Sequence, residues 1–150
     1  MHDSSTWSPL LAKILEQFGC QTGTLHQSTQ DGKTLILLAQ AGVPDFLLDK
    51  ISSIPVGKGI AGAAAERREP VELCNLQEDL GGVAKPDAQK TGVAGSLAVP
   101  IFSKSSGAVI GTLGIGKFVP YEFSDDEKTL LGACAANLAD LFENNPSCGG

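Results

Sequence analysis

The side chains best suited to catalysis or metal binding in this chain are those of four cysteines and two histidines. The cysteines are far apart and form no Cys-x-x-Cys pair, so the pattern indicates neither a redox dithiol nor a zinc-binding pair. His2 and His26 are not at metal-ligand spacing, and a Ser-His-Asp triad is not indicated either. The cysteines are Cys20, Cys74, Cys134 and Cys148. We expect reduced thiols in a cytoplasmic protein that has no metal site.

A glycine turn, Gly57-Lys58-Gly59, precedes a segment of helical composition and has some similarity to a phosphate-binding loop. It lacks the Gly-Lys-Ser/Thr ending of that loop, and the surrounding pattern is not that of a parallel-sheet nucleotide fold. We therefore interpret it as a turn into a helix. Helix N-termini attract anions, so an anionic ligand nearby stays an open alternative.

The length of 150 residues and the hydrophobic fraction of 42% suit one globular domain with a conventional core. The 11 Lys and Arg residues against 17 Asp and Glu residues give a formal net charge of -6. Binding to nucleic acid or to an anionic membrane depends on a basic surface, so neither partner is expected. Residues 1–7 do not have the pattern of a signal peptide, and no apolar run is long enough to span a bilayer.

Two amphipathic helices are predicted near the ends of the chain. The first begins with Ser8 as N-cap and Pro9 in the first turn, and it ends at Gly19. The last begins at Ser124, where Glu127 three residues later completes a capping box. Their apolar stripes are Leu10, Leu11, Ile14, Leu15 and Phe18 in the first helix and Leu130, Leu131, Cys134, Leu138, Leu141 and Phe142 in the last.

Between these helices the pattern predicts strands, short helices and one long irregular stretch at residues 77–91, which is typical of functional or mobile loops. Asp31-Gly32 separates two extended runs and favours a hairpin turn. Strands are predicted at residues 20–29, 34–40, 71–76, 93–103 and 108–118, and short helices at 45–51 and 60–68. This order favours an α+β domain with a mostly antiparallel sheet. We expect the domain at residues 8–143, between a flexible N-terminus (residues 1–7) and a flexible tail (residues 144–150).

Three blocks of the sequence resemble the GAF domain family. The first is IPVGKGIAG at residues 54–62, which a short helix and Glu69-Pro70-Val71 follow. The second is GSLAVPI at residues 95–101, and the third is FSDDE at residues 123–127, which opens the last helix. The three blocks occur in the family's order, and the resemblance covers residues 9–142.

The resemblance implies a central antiparallel sheet with the terminal helices on one face and the short helices and the long loop on the other. GAF domains typically hold a small molecule on that second face, and they often dimerise through the terminal helices. The candidate ligand-binding residues that follow from it are Cys74, Asn75, Asp79, Thr91 and Ser96. The alternatives are a small buried hydrophobic residue for Cys74, and solvated loop residues and a turn cap for the others.

Two ligand classes of the family are not favoured by the residues present. Cyclic-nucleotide-binding members share an Asn-Lys, Phe, Asp-Glu set, but here the first position is Gly116-Lys117 and Phe123 lies one residue too close to Asp126-Glu127. Covalent bilin attachment normally requires a Cys with a His close behind it, which this chain lacks. The resemblance therefore leaves the ligand unidentified and implies no particular cofactor.

Free methionine-R-sulfoxide reductases are also GAF proteins, and their sequences are similar at residues 54–62. Their reactive Cys falls at Ala61 here, and thiol-based reduction requires a nucleophilic and a resolving sulfur. The remaining thiol and carboxylate positions of those enzymes fall near Ile51 and Gln89 and at Ser96, Gly114 and Gly116. The resemblance thus implies the scaffold without that catalytic set.

We therefore predict a non-catalytic GAF sensory module in signal transduction, homodimeric through its terminal helices, that binds a small molecule. Two alternatives stay open, namely a degenerate GAF fold kept as a dimerisation module and a diverged thiol-dependent reductase that uses Cys74. A chain of 150 residues has no room for an output domain beside the sensor. We expect it to act on a separate signalling protein or to be an excised piece of a longer one.

Overall fold

The computed structural model describes residues 4–43, 45–73 and 94–144, and the helices and strands below lie within these ranges. The helices are α1 (Ser4–Phe18), α2 (Asp45–Ile51), α3 (Gly59–Arg67) and α4 (Asp125–Asn144). The strands are β1 (Thr22–Ser28), β2 (Thr34–Ala41), β3 (Ser53–Pro55), β4 (Val71–Leu73), β5 (Gly95–Phe102) and β6 (Val109–Lys117). None of the described helices is both long enough and apolar enough to cross a bilayer.

The described strands form one antiparallel sheet in the order β3-β2-β1-β6-β5-β4. Glycines in the left-handed conformation make the two hairpin turns, with φ of 72° at Gly32 and 76° at Gly107. The hairpin predicted from Asp31-Gly32 is therefore confirmed. β1 and β6 lie side by side at the sheet centre, although they are far apart in the sequence, so each has a hydrogen-bonded strand along both of its edges.

The first face of the sheet is apolar and packs on α1 and α4. Side chains alternate between the two faces along a strand, and one set from the central strands, which includes Leu25, Leu113 and Ile115, points toward these helices. Most of the buried core lies here, with Trp7, Leu11, Ile14, Leu15, Phe18, Leu97, Val99, Ile101, Phe123, Leu131, Leu138 and Phe142 among its members. This arrangement confirms the predicted α+β fold with the terminal helices on one face.

Two predictions about the terminal helices are wrong in detail. α1 begins at Ser4 and not after Ser8, so that Pro9 lies inside the helix. The reason is a tertiary contact, because the longer helix carries Trp7 into the core, where its ring meets that of Phe142 edge-on. Leu130, predicted on the apolar stripe of the last helix, is 41% exposed. It lies one position, roughly 100° of helix rotation, away from the buried Leu131.

The predicted capping box at the start of α4 is confirmed. The Glu127 N–H donates to Ser124 Oγ (3.1 Å), and the Ser124 N–H donates to Glu127 Oε1 (2.9 Å). The Tyr121 hydroxyl also donates to the Glu127 carboxylate (2.8 Å). These bonds, the one from the Ser124 backbone above all, hold the pKa of Glu127 below its usual value. The connection from β6 into α4 is thus fixed by hydrogen bonds.

α3 covers part of the second sheet face through very small side chains. Ala63 and Ala64 are buried against Val71 and Ala98 in a cluster separate from the main core. Gly62 lets the helix start close to the preceding strand, since a Cβ there would lie 2.7 Å from the last carbonyl oxygen of β3. The Gly57-Lys58-Gly59 segment is a turn into this helix, as interpreted from the sequence.

Candidate ligand site

The centre of the second sheet face is lined by small and hydroxyl-bearing residues from three adjacent strands. Along β1 and β6 these residues occupy every second position, so they share one face of the sheet. The strand register arranges them in three rows across β1, β6 and β5. We call this surface the pocket face, and its rows are Thr22, Gly116 and Ser96, then Thr24, Gly114 and Ala98, and finally His26, Thr112 and Pro100.

The residues of β5 show on which side of the sheet the pocket face lies. Leu97 and Val99, on either side of Ala98 in β5, belong to the core under α1 and α4. Ala98 itself packs on α3, which lies on the opposite side of the sheet. The pocket face is therefore the face on which the family resemblance implies a ligand.

Gly114 leaves the middle row of the pocket face without a side chain at its centre. Among the described residues, only Thr24 Oγ1 (3.1 Å) and the Leu97 carbonyl oxygen (3.9 Å) lie within 4 Å of the point where a Cβ of Gly114 would be. Thr24, Ser96 and Gly114 are only half-buried, whereas the neighbouring Gly116 is buried. The centre of this face therefore combines hydroxyl groups with a backbone position that no large described side chain covers closely, which suits a small polar ligand.

The third row is more enclosed and contains a histidine. His26 is 1% exposed, and its Nε2 lies 2.9 Å from the carbonyl oxygen of Ile51 at the end of α2. Burial lowers the pKa of His26, although the hydrogen bond to Ile51 opposes this shift, so the ring is neutral at physiological pH. Thr112, its partner on β6, is equally buried.

The thiols of the described residues lie away from the pocket face. Cys20 and Cys134 are half-buried and pack against the core under α1 and α4. Burial raises the pKa of Cys20 to about 11, with Lys117 opposing the shift, and burial also raises the pKa of Cys134. The described residues contain no cluster of three or more His, Cys, Asp or Glu side chains able to hold a metal ion.

Glu72 connects the strand at the edge of the pocket face to α4. The backbone N–H of Phe123, just before α4, donates to Glu72 Oε2 (2.6 Å), and Lys128 Nζ lies 2.8 Å from Glu72 Oε1. β4 also pairs with β5, opposite Ser96 and Ala98. The Glu72 side chain therefore joins β4 to the start of α4.

The structure places the predicted ligand-binding residues unequally. Ser96 lies in the first row of the pocket face, where its role stays a prediction. Cys74, Asn75, Asp79 and Thr91 lie outside the described residues. The register does bring Ser96, Gly114 and Gly116 together, the three positions to which the family resemblance assigns the reductase carboxylates. This part of the surface thus carries one hydroxyl group and no carboxylate.

Four polar residues of the pocket face are missing from the sequence prediction, namely Thr22, Thr24, His26 and Thr112. A signal for three of them exists in the sequence, because Thr22, Thr24 and His26 occupy every second position of β1 while Gly23 and Leu25 lie between them. The alternation does not say which strands are neighbours. Only the β1–β6 pairing places Thr112 beside His26.

Comparisons with known proteins agree with the fold. A family model described as GAF domain matches residues 8–143. The comparison with curated proteins found no match. Among solved structures, the GAF domain of a phosphoenolpyruvate-protein phosphotransferase from Coxiella burnetii is similar with a TM-score of 0.80. It is 20% identical, and the match covers 97% of this chain and 85% of that one.

Two free methionine-R-sulfoxide reductases are similar as well. The enzyme from Neisseria meningitidis, solved in complex with its substrate, gives a TM-score of 0.77 at 21% identity, over 97% of this chain and 80% of that one. The type II enzyme from Thermoplasma acidophilum gives 0.73 at 18% identity, over 93% of this chain and 92% of that one. At these identities the likeness shows a shared fold. Since the family match itself spans most of the sequence, the chain belongs to the GAF domain family, whose members are commonly sensory or regulatory modules of signalling proteins.

Proposed function

We propose that this GAF domain is a non-catalytic sensory module that binds a small molecule on the pocket face. The observation that carries the proposal is the missing side chain at Gly114, beside the Thr24 hydroxyl and one row from that of Ser96. A face meant only for packing would be filled by larger apolar side chains, as the opposite face is. Glu72 supplies a route by which a ligand that moves β4 would move α4 and whatever protein contacts it.

Placing a side chain at Gly114 tests this proposal directly. Val is well tolerated in strands, and the Thr24 hydroxyl beside Gly114 can rotate away, so Gly114→Val is expected to stay folded. The added methyl groups would project into the ligand space. We expect the Tm shift that a metabolite-library compound gives with the wild-type chain to be lost, and its affinity to fall roughly tenfold or more, since overpacking costs about 1–3 kcal/mol.

Ile36→Ala is the matched control for this experiment. Ile36 is exposed on β2 and lies opposite Gln27, on the other face of the sheet from His26 and Thr24. The variant changes stability without touching the pocket face, so the ligand-induced Tm shift should persist. If a broad library gives no shift with the wild-type chain and the pocket face proves to be filled, the alternative of a fold retained only for dimerisation replaces the sensor.

Thiol catalysis is the competing function, because two of the similar structures are methionine sulfoxide reductases. The raised pKa values of Cys20 and Cys134 keep those thiols protonated at neutral pH, which supports a non-catalytic role for both. Cys74 lies outside the described residues. Turnover of free methionine-R-sulfoxide by the wild-type chain that is absent in Cys74→Ser would contradict the non-catalytic proposal.

We further propose that two copies of the chain associate through α1 and α4. Gly132, Ala133 and Ala136 are exposed on the outer side of α4. A Cβ at Gly132 would meet no described atom within 4 Å, so no described contact of its own chain requires glycine there. Glycine inside a helix costs about 1 kcal/mol relative to alanine. Close approach of a second α4 would explain why it is present.

Light scattering of the wild-type chain at micromolar concentration is expected to report about twice the chain mass of 15.5 kDa. Ala136→Glu should reduce the mass to that of one chain, because two like charges would face each other across the helix pair. Gln30→Glu adds the same charge at an exposed position of the β1–β2 turn and should leave the dimer intact. A wild-type mass of one chain would refute the association.

A further inference from the structure

His26 and Thr112 are two buried polar side chains side by side at one end of the pocket face. They pair in the β1–β6 register, which brings the Cβ atoms of opposed residues to about 4.5–5.5 Å. Each residue is 1% exposed. Neither His26 Nδ1 nor Thr112 Oγ1 has a hydrogen-bond partner among the described residues. Because buried polar atoms in folded proteins are almost always partnered, two such neighbours indicate that a third group binds between them.

The proton on the His26 ring limits what this third group can be. The Ile51 carbonyl oxygen, 2.9 Å from Nε2, only accepts hydrogen bonds, so Nε2 carries the proton. The buried ring is neutral, and Nδ1 is consequently an acceptor. A group that binds Nδ1 must therefore donate. The Thr112 hydroxyl rotates freely enough to donate or to accept.

Among the described residues, the strand neighbours of the pair carry no charge that could balance an ionic ligand. His26 is flanked by Leu37 on β2, and Thr112 is flanked by Pro100 on β5. The neighbouring row holds Thr24 and Gly114, and no residue of the pocket face has a charged side chain. A carboxylate here would bring a buried charge that no described strand neighbour balances, and it would offer no proton to Nδ1.

We propose that His26 and Thr112 form the hydrogen-bonding end of the ligand site, and that they bind the hydroxyl or amide group of a neutral molecule. An O–H or N–H of that molecule donates to His26 Nδ1, and the Thr112 hydroxyl bonds the same group. The rest of the molecule lies over Gly114 in the neighbouring row, which carries no side chain. This inference rests on the proposed function and narrows its ligand to uncharged compounds with at least one hydrogen-bond donor.

Thr112→Val tests the hydroxyl before any ligand is known. The variant keeps the shape of the side chain and removes a group that has no partner, which is neutral or stabilising. We therefore expect the Tm of the free chain to be unchanged or raised. A lowered Tm would mean that the hydroxyl is already partnered within the protein, and it would overturn the inference. Thr129→Val, at an exposed position of α4, serves as the matched control.

Nitrogen-15 NMR of the imidazole rings tests the acceptor. The chain has only two histidines, so the ring signals of His26 are distinguished from those of His2. The probes are acetamide and acetate, which have nearly the same shape but differ in charge and in the ability to donate. We expect acetamide to move the His26 Nδ1 signal toward that of a hydrogen-bonded nitrogen, while acetate at the same concentration leaves it in place. Thr112→Val should weaken acetamide binding about two- to tenfold.

Three results would overturn the inference. The first is that acetamide and acetate move the His26 Nδ1 signal equally, and the second is that acetamide leaves this signal unchanged. The third is that the Nδ1 signal of the free chain is already that of a hydrogen-bonded nitrogen, as a trapped water would make it. The proposed function fails in a different way, when no library compound shifts the Tm of the wild-type chain. If a compound loses its Tm shift in Gly114→Val but leaves the His26 Nδ1 signal unchanged, the ligand site on the pocket face is supported. The role of His26 and Thr112 in that site is then contradicted.

Discussion

Trp7→Ala is expected to lower the free energy of unfolding by about 3–5 kcal/mol. The Trp7 side chain is completely buried between α1 and α4, and its ring lies edge-on to Phe142 with the centroids 5.0 Å apart. The substitution removes a large apolar area from the core and also this ring pair. Domains of this kind are stable by about 5–15 kcal/mol, so the loss is a large share of the total. Urea unfolding followed by circular dichroism measures it, because Trp7 is the only tryptophan and its fluorescence disappears with it.

Two other variants make this result specific to the core. Trp7→Phe keeps an aromatic ring against Phe142 and should lose clearly less stability than Trp7→Ala. Leu130→Ala removes an exposed side chain from α4 and should change the free energy of unfolding by no more than about 0.5 kcal/mol. Equal urea midpoints for Trp7→Ala and the wild-type chain would mean that residues 1–7 are flexible, as the sequence suggests, and that α1 starts near Ser8.

The predicted and observed starts of α1 differ because a local sequence pattern contains no information on tertiary contacts. Ser8 and Pro9 have the composition of a helix start, and nothing near them in the sequence opposes that interpretation. The structure extends the helix to Ser4 in spite of Pro9, which has no N–H to give to the helix. The compensating contact is made by Trp7 with Phe142 on the last helix. Trp7 and Phe142 are too far apart in the sequence for a local pattern to include both. The start of the helix is therefore set by the burial of Trp7 and not by the residues next to it.

The same reasoning separates the predictable part of the candidate site from the rest. The glycine turn, the capping box at Ser124 and the Asp31-Gly32 hairpin are local, and all three were predictable from a few neighbouring residues. The pocket face depends instead on which strands are adjacent. The family resemblance predicted Ser96 as a candidate ligand-binding residue. Thr112 is recognised as part of the site only because the β1–β6 register places it beside His26. Strand order is set by the packing of the whole chain.

Lowering the pH below about 6.5 is expected to destabilise the chain through His26, and His26→Gln is expected to remove that effect. The burial of His26 lowers its pKa in the folded state, so between the folded and unfolded pKa values the unfolded chain binds the extra proton. As the pH decreases through that window, the free energy of unfolding therefore decreases, by at most about 1.4 kcal/mol per pH unit for one proton. Above the window His26 does not make the free energy of unfolding depend on pH. Urea midpoints at a series of pH values measure the slope.

The control variants follow from the geometry of the ring. The side-chain amide of His26→Gln can still donate to the Ile51 carbonyl but does not titrate, so its stability should be flat where the wild-type chain loses stability. His2→Gln should retain the wild-type slope if the burial of His26 is its source. The carboxyl groups of Asp31 and Glu127, whose pKa values are lowered by hydrogen bonds, add their own losses only in more acidic solution, below their unfolded values of 3.8 and 4.5. A wild-type stability that stays constant from neutral pH down to the range of those carboxyl groups would show that His26 protonates freely in the folded chain, and that its ring is not buried against α2.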